Sequence, residues 1–461
     1  MKLRRWQHEC IKLALEKYKS GQTHFLVQAT PAAGKTYMTA NLAERLFRNN
    51  DIDLVLCFSP SSIVASEFNS VFTEVMCCTF DGKIGAKGES ITYQKMPYLD
   101  DSFWRLFDKF RVLVVFDEIH HCAGINNENA NEWGKQIIDR IQDKATYTLA
   151  LSGTPWRSDS APITLSNYKK GEDKIQCDYV YGLIDAINDN VCRLPKIIAI
   201  DNDEITLTNS KLTKSFNSFG ELLSCSPLPY RDLIYNENVI TSIVKRADKQ
   251  LNIIRQSNLN AGGLIVASSV EHAIQITKII KQELNEVAVL VSYKEDHPNR
   301  IIQRYKLDSN KWIVSIGMIS EGTNIPRLQV CCHLTHVKTE LHYRQILGRI
   351  LRVTNATNQD ATLFMPADPL LVEYAFRISE DIPSLANIVS LETVPISTIE
   401  ANSGGNMIAA KATDCEENID DLILSVKGSF INSVLSESYD AMTNVFGRYH
   451  QETINLESLP S

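Results

Sequence analysis

The stretch Ala29-Thr30-Pro31-Ala32-Ala33-Gly34-Lys35-Thr36 determines how the rest of the chain is interpreted. It follows an apolar run, 24–27, that is typical of a buried strand, and it precedes a segment of helical character, 37–49. Such a strand, turn and helix form a phosphate cradle, in which main-chain N–H groups face the phosphates, Lys35 adds a charge and Thr36 ligates Mg²⁺. The strict pattern begins with glycine where this chain has Ala29, so partner motifs are needed to distinguish a phosphate site from a chance turn.

The composition is that of an ordinary globular chain. The 461 residues suffice for two or three domains, 44% of them are hydrophobic and 22% charged, and the formal net charge is −8. That charge excludes a globally basic nucleic-acid coat protein but is compatible with a local basic groove. No apolar run approaches a membrane span, and the N-terminus lacks the apolar core of a signal peptide. The eleven cysteines show no zinc spacing, which indicates buried thiols in a reducing cytoplasm.

Two adjacent carboxylates follow a second buried strand. The run 111–116 is almost continuously apolar, as in strands buried on both faces of a parallel sheet, and it leads to Asp117-Glu118-Ile119-His120-His121. Carboxylates at such a strand end suit magnesium chemistry, with Asp117 reaching the metal and Glu118 polarising the attacking water. An acidic loop without chemistry is the alternative, and the preceding phosphate loop weakens it.

Other polar groups lie near predicted strand ends or ahead of the phosphate loop. Gln7 has an amide that can donate to and accept from an adenine edge, unless it is only a solvated surface residue. Ser59-Pro60-Ser61 offers hydroxyls either to the phosphates of a nucleic-acid backbone or to the next helix as caps. Thr92-Tyr93-Gln94 is another short patch with polar side chains of this kind. The strands that carry this pattern are 24–27, 53–58, 111–116 and 146–151, and they predict a doubly wound α/β domain.

These motifs resemble, in order, those of the first motor domain of superfamily 2 helicases and translocases. The resemblance makes Thr30, Ala32, Ala33 and Gly34 nucleotide contacts beside Lys35 and Thr36, and Arg5-Trp6-Gln7 an adenine-reading segment. It makes Ser59–Ser62 and Thr92–Gln94 strand-contacting motifs, and Ser152-Gly153-Thr154-Pro155, with His120, the elements that couple hydrolysis to nucleic acid. The family usually has glycine where Ala32 stands, and it usually has an arginine in the 59–62 segment.

The second half repeats the α/β pattern without a phosphate loop. Its apolar strands are 262–267, 288–291, 312–316, 328–332 and 361–365. The segment 317–326 resembles the motif that links nucleic acid to the nucleotide, which implies that Ser320 contacts nucleic acid and that Gly322 and Asn324 lie near ATP. The family more often has aspartate where Asn324 stands.

The segment Tyr343–Arg352 carries the other decisive pattern. On a helix, Gln345, Arg349 and Arg352 are four and three residues apart and form one polar stripe. Guanidinium groups held opposite a phosphate loop neutralise charge that develops on the γ-phosphoryl group. An exposed arginine pair on an amphipathic helix is the alternative, and the full ordered set of motifs favours the motor interpretation.

The resemblance covers about residues 4–368 and implies two tandem RecA-like doubly wound parallel-sheet domains plus a mainly helical C-terminal extension. The expected boundaries are 1–160 and 256–370 for the two domains, 161–255 for a linker or insertion, and 371–461 for the extension. Within the linker, 209–230 is expected to be a loop insertion. In the extension, Leu422, Ile423, Val426, Phe430, Val434 and Leu435 suggest a helical apolar stripe.

The expected function is a nucleic-acid-dependent ATPase that uses ATP and Mg²⁺ as a helicase or translocase, with DNA expected in preference to RNA. Arg349 and Arg352 would act from the second domain, so hydrolysis would depend on domain closure. A close alternative is a duplex-DNA translocase that does not separate strands and works with a nuclease or another subunit in restriction or antiviral defence. A distant alternative, suggested by Ala32 and Asn324, is a non-catalytic, nucleotide-gated binding scaffold.

Overall fold

The computed structural model describes residues 2–157, 159, 161–168, 175–202, 205–208, 213–226, 228–295, 297–317, 323–380, 389–393 and 423–426. Its contacts divide the chain into two units. The first comprises Met1–Arg193, Met318–Pro326 and Thr339–Val353, and the second comprises Leu194–Gly317, Arg327–Lys338 and Thr354–Ser461. The sequence predicts boundaries at 160 and 255, whereas the contacts assign the described residues of 161–193 to the first unit and those of 194–255 to the second.

The strands and helices have the following bounds. The strands are β1 His24–Ala29, β2 Leu54–Ser59, β3 Gly88–Thr92, β4 Val112–Asp117, β5 Tyr147–Ser152, β6 Asn167–Tyr168, β7 Ile175–Gln176, β8 Tyr179–Tyr181, β9 Pro195–Asp201, β10 Ile205–Thr208, β11 Thr213–Phe216, β12 Gly262–Ala267, β13 Ala288–Val291, β14 Trp312–Ser315, β15 Leu328–Leu334, β16 Ala361–Pro366, β17 Val389–Thr393 and β18 Ile423–Val426. The α-helices are α1 Arg5–Lys19, α2 Lys35–Arg48, α3 Ser62–Met76, α4 Asp101–Trp104, α5 Leu106–Lys109, α6 Glu132–Arg140, α7 Leu183–Asn188, α8 Phe219–Cys225, α9 Tyr230–Tyr235, α10 Glu237–Arg255, α11 Val270–Leu284, α12 Pro298–Leu307, α13 Glu340–Ile350 and α14 Pro369–Glu380.

The first unit contains a six-stranded parallel sheet in the order β3-β2-β4-β5-β1-β8. The four strands predicted from apolar runs are confirmed as β1, β2, β4 and β5. Every residue of β4 is buried, as expected for a strand covered on both faces. The register pairs Asp117 with Leu151 and Gln28 with Ser152, so the ends of β4, β5 and β1 meet at one edge. This edge carries the phosphate loop, the carboxylates and the coupling motif side by side.

The second unit contains a seven-stranded parallel sheet in the order β13-β14-β12-β15-β16-β9-β17. The five predicted strands of this half are confirmed. Helix α10 packs with the apolar residues that its spacing predicted, and all of them are buried: Ile240, Ile243, Val244, Ala247, Leu251 and Ile254. The expected pair of parallel-sheet α/β domains is therefore present.

Two local expectations in the remaining segments are wrong. The segment 209–230 is not simply a loop, because β11 and α8 form within it and bury Phe216, Phe219 and Leu222. Residues Ile423–Val426 form β18, which pairs antiparallel with β10, where a helix was expected. The other members of the predicted stripe, Leu422, Phe430, Val434 and Leu435, lie outside the described residues. None of the helices in the described ranges is long and apolar enough to span a membrane.

Candidate nucleotide site and its coupling network

The loop between β1 and α2 has the backbone of an anion cradle. Ala32 has φ 69° and Gly34 has φ 90°, so two residues of the loop adopt the left-handed conformation. Gly34 is the N-cap of α2, and the first turn of this helix contains no acidic residue. Left-handed residues in such a turn direct main-chain N–H groups inward, and the helix end adds partial positive charge. The loop therefore fits phosphate groups, as the sequence predicted.

Ala32 is strained at its position because a Cβ atom disfavours the left-handed conformation by about 1–2 kcal/mol. We expect Ala32→Gly to raise the free energy of unfolding by about 0.5–1 kcal/mol, after the larger entropy of unfolded glycine is subtracted. Ala33 is fully buried and is not among the left-handed residues, so Ala33→Gly should lower stability instead. Denaturant titration of both variants checks this, and two shifts of the same sign would contradict it.

The start of α1 holds the phosphate loop from one side. Gln7 is buried, and its Nε2 donates to Gly34 O at 2.9 Å. Its Oε1 accepts from Arg4 N at 2.8 Å, and Arg4 Nη1 donates to Ala33 O at 2.6 Å. Arg5, the predicted nucleotide contact, is largely exposed and lies 3.5 Å from Asp189, so the structure does not place it at the loop.

Lys35 and the two carboxylates form a mostly buried cluster. Lys35 Nζ lies 3.2 Å from Glu118 Oε1 and donates to Ala29 O at 3.2 Å. Burial raises the pKa of the Asp117 carboxyl, and the neighbouring Glu118 raises it further. Burial also raises the pKa of Glu118, but Lys35, His120 and the Gly153 N–H lower it by more, so its pKa falls below the ordinary value. Glu118 is therefore ionised at neutral pH, as a residue that polarises water must be.

A hydrogen-bond network joins this cluster to the predicted coupling motif. His120 Nδ1 lies 2.9 Å from Ser152 Oγ and 3.4 Å from Glu118 Oε2. Glu118 Oε2 also accepts from Gly153 N at 3.2 Å, and Thr154 N donates to Ser152 Oγ at 3.0 Å. Glu118 itself has φ 50°, a strained conformation that this network holds in place. The structure thus brings the Asp-Glu-x-His box and the coupling motif into direct contact.

The residues of the first unit that were predicted to contact nucleic acid differ in their exposure and hydrogen-bond partners. Ser59 is fully buried, and its Oγ donates to Ile91 O at 3.3 Å inside the sheet, so it is not available to nucleic acid. Ser61 caps α3 by accepting from Val64 N at 3.4 Å, which is the alternative role of this segment. Gln94 is exposed and donates to Pro60 O at 3.1 Å. Pro60 and Thr92 are partly exposed.

Pro31 connects the phosphate loop with both the coupling motif and α13, and all three belong to the first unit. A Cβ atom added to Gly348 would lie 2.6 Å from Pro31 Cβ, and one added to Gly153 would lie 3.2 Å from Pro31 Cδ. Cys192 Sγ also donates to Pro31 O at 3.6 Å. Glycine at 348 therefore allows α13 to approach the phosphate loop to within direct contact.

The two predicted arginines converge on one carbonyl. Arg349 Nη1 and Arg352 Nη1 donate to Thr323 O at 3.0 and 2.9 Å, and Arg352 Nη1 also donates to Asn324 Oδ1 at 2.6 Å. Asn324 thus keeps the hydrogen bond that the family's aspartate could form. Gln345 lies on the same helix and is partly buried. Ser320 and Gly322 fall outside the described residues.

Three residues of this site were not predicted. Arg4 lies one helical turn before Gln7, and this spacing was the available signal. The sequence identifies Pro31 only as a member of the phosphate loop and does not predict its contacts with α13 and the coupling motif. Arg193, which contacts the end of α13, carried no sequence signal because its partners are main-chain carbonyls far along the chain.

Two family models match the chain. The model described as "Type III restriction enzyme, res subunit" matches residues 1–157, and the model described as "Helicase conserved C-terminal domain" matches residues 245–354. The chain is a superfamily 2 helicase-like protein. The family resemblance predicted from the motifs is confirmed.

Solved structures share the fold at low sequence identity. A fragment of a putative HsdR subunit of a type I restriction enzyme from Vibrio vulnificus has a TM-score of 0.60 and 14% identity, over 85% of this chain and 68% of that one. The Type ISP restriction-modification enzyme LlaBIII bound to DNA has a TM-score of 0.56 and 14% identity, over 85% of this chain and 31% of that one. Dbp5 of S. cerevisiae bound to RNA and ADP BeF3 has a TM-score of 0.51 and 12% identity, over 85% and 90%.

An uncharacterized protein of Mycobacterium leprae is 28% identical over 392 residues, which cover 82% of this chain and 64% of that protein. A protein of Mycobacterium tuberculosis is also 28% identical, over 389 residues that cover 81% of this chain and 62% of its own length. The chain therefore spans less than two thirds of the length of these relatives.

Proposed function

We propose that this chain is a nucleic-acid-dependent ATPase that acts as a DNA helicase or translocase. The observation that carries the proposal is the continuous contact from Lys35 through Glu118 to His120 and Ser152. It joins a phosphate cradle and a water-polarising carboxylate to a motif whose counterpart in the family responds to nucleic acid. The family models and the restriction-enzyme likenesses support the same conclusion.

The side chains divide the chemistry of ATP hydrolysis among them. The loop N–H groups and Lys35 bind the β- and γ-phosphates, and the Gln7 amide lies beside the loop on the side of α1. The Thr36 hydroxyl and the Asp117 carboxylate would hold Mg²⁺, which would neutralise phosphate charge. Glu118 orients and polarises the attacking water. Arg349 and Arg352 stabilise the charge that develops on the transferred phosphoryl group.

The network around Glu118 provides a route for control by nucleic acid. His120 and Ser152 share contacts with the carboxylate, so a change at the 152–154 segment alters its orientation. Since the position of a catalytic carboxylate affects rate steeply, a small shift can turn hydrolysis on or off. We infer that binding of a nucleic-acid backbone near the exposed Gln94 side chain acts on this network, since the neighbouring buried Tyr93 donates its hydroxyl to Asp117 O at 2.9 Å.

A duplex-DNA translocase without strand separation is the second candidate, favoured by the match to the restriction-enzyme model and by the two restriction-enzyme structures. In such a system a nuclease or other partner subunit would cut the DNA, and defence against foreign DNA would be the biological role. RNA is the less favoured substrate, although four of the similar structures are bound to RNA.

Displacement assays test both candidates with the same protein. A helicase should release a labelled strand from a tailed duplex in the presence of ATP, whereas a duplex translocase should displace the third strand of a triplex. Lys35→Ala is the control and should abolish either activity, because it removes the phosphate-binding ammonium. Lack of ATP-dependent displacement from both substrates would contradict the proposal.

A further inference from the structure

Arg193 is a buried arginine that hydrogen-bonds to the segment containing Arg349 and Arg352, the two arginines proposed to be catalytic. Only 1% of its surface is exposed. Its Nη1 donates to Ile350 O at 3.1 Å, and its main-chain N donates to Leu351 O at 2.7 Å. These carbonyls lie at the end of α13, where the last carbonyls of a helix have no intrahelical partner. Arg193 therefore caps α13 with both its side chain and its backbone, and its positive charge interacts favourably with the negative end of the helix dipole.

The same side chain also holds the segment to which the catalytic arginines bind. Arg193 Nη2 donates to Pro326 O at 3.4 Å. At the other end of this segment, Arg349 and Arg352 donate to Thr323 O. One guanidinium thus fixes the far end of segment 323–326, while the catalytic arginines fix its near end. Every residue in this arrangement belongs to the first unit.

The neighbouring residue adds a second link between these segments and the phosphate loop. Cys192 forms an isolated antiparallel bridge with Arg352, and its Sγ donates to Pro31 O. Residues 192–193 therefore contact the phosphate loop, the last turn of α13 and the segment that follows Asn324. A shift of Arg193 would move Arg352 relative to Pro31. Burial lowers the pKa of Arg193 to about 10, and the side chain remains charged at neutral pH.

We propose that Arg193 is a positioning residue for ATP hydrolysis, which holds the end of α13 and segment 323–326 so that Arg349 and Arg352 keep their catalytic geometry. The proposal rests on the ATPase function proposed above. A planar fork that donates to two separate carbonyls cannot be replaced by a single ammonium, so Arg193→Lys keeps the charge and loses one of the two contacts.

The test compares Arg193→Lys with a matched arginine elsewhere. Arg255 Nη1 donates to Ala261 O at 2.6 Å, and its Nη2 donates to Ser309 O at 3.2 Å, so it too bridges two main-chain carbonyls, but in the second unit. Rates are measured per nucleotide-binding site, which corrects for any unfolded fraction. We expect Arg193→Lys to lower kcat for nucleic-acid-stimulated hydrolysis by about 10- to 100-fold. The KM for ATP should change less than threefold, because Lys35 and Gln7 are untouched.

Hydrogen–deuterium exchange gives an independent readout of the proposed contact. Arg193→Lys should accelerate exchange in peptides that contain residues 340–353 and leave peptides of α2 unchanged. Arg255→Lys should keep kcat within twofold of the wild type. If the wild type hydrolyses ATP and Arg193→Lys retains its kcat within twofold, the positioning role is wrong. If the wild type does not hydrolyse ATP under any condition, the proposed function is wrong and this role is lost with it.

Discussion

Glu118→Gln is expected to lower kcat for ATP hydrolysis by about 10²–10⁴-fold while ATP still binds. Glutamine keeps the shape of the side chain and can still accept from Gly153 N, so the network around Ser152 should persist. It cannot polarise water as a carboxylate does, and it loses the ion pair with Lys35 at 3.2 Å. Steady-state hydrolysis and equilibrium ATP binding, measured on the same preparation, check both halves of this expectation.

A suitable control for Glu118→Gln is an acidic residue whose ion pair lies away from the site. Glu373 pairs with Arg377 on α14, and Glu373→Gln should leave kcat within twofold of the wild type. Persistence of hydrolysis in Glu118→Gln would show that another group activates the water, and the role assigned to this carboxylate would have to be abandoned.

The second large effect is expected from the arginines of α13. Arg349→Lys and Arg352→Lys should each lower kcat by about 10³-fold or more, since an arginine that stabilises the transferred phosphoryl group contributes about 10³ to 10⁵ in rate. Each would also lose its contact with Thr323 O, because the lysine side chain is one atom shorter and its ammonium does not lie where Nη1 lies. Single-turnover hydrolysis, with enzyme in excess over ATP and above its Kd, measures the chemical step directly.

Two features separate this arginine effect from a loss of folding. Thermal unfolding of the variants should remain cooperative, and the affinity for ATP should fall by much less than kcat. Arg377→Lys, at a half-exposed position of α14, is the matched control and should behave as the wild type. Retention of more than a tenth of the wild-type single-turnover rate by both arginine variants would exclude them as transition-state contacts.

The sequence predicted those parts of the site that depend on local pattern. The strand–turn–helix around Lys35 and the buried run before Asp117 were identifiable because each is encoded within a few consecutive residues. The neighbouring positions of Asp117 and Ser152 followed from parallel strands meeting at one edge of a sheet. The structure places Arg4, and not Arg5, beside the loop, because successive helical residues are about 100° apart and Arg4 and Gln7 share the face of α1 that contacts the loop.

Other features depended on details that local patterns do not contain. Ser59 was expected at a strand end, but β2 runs one residue further than predicted and buries its hydroxyl. The short apolar segment 423–426 can be read as helix or strand, and its pairing with β10 decides the outcome. Two further contacts join residues more than 100 positions apart, so only the tertiary structure reveals them. They are the packing of Gly348 against Pro31 and the hydrogen bond from Arg193 to Ile350.

We propose that nucleic acid controls hydrolysis at the Lys35–Glu118 site. The most direct measurement is the steady-state ATPase rate of the purified chain with single-stranded DNA, duplex DNA, single-stranded RNA and no nucleic acid, beside Lys35→Ala as the inactive control. The rate is expected to rise at least tenfold with DNA and to be absent in Lys35→Ala. If the chain binds ATP in isothermal titration but hydrolyses it no faster with any of these nucleic acids, nucleic acid does not control hydrolysis, and a non-catalytic, nucleotide-gated scaffold is favoured.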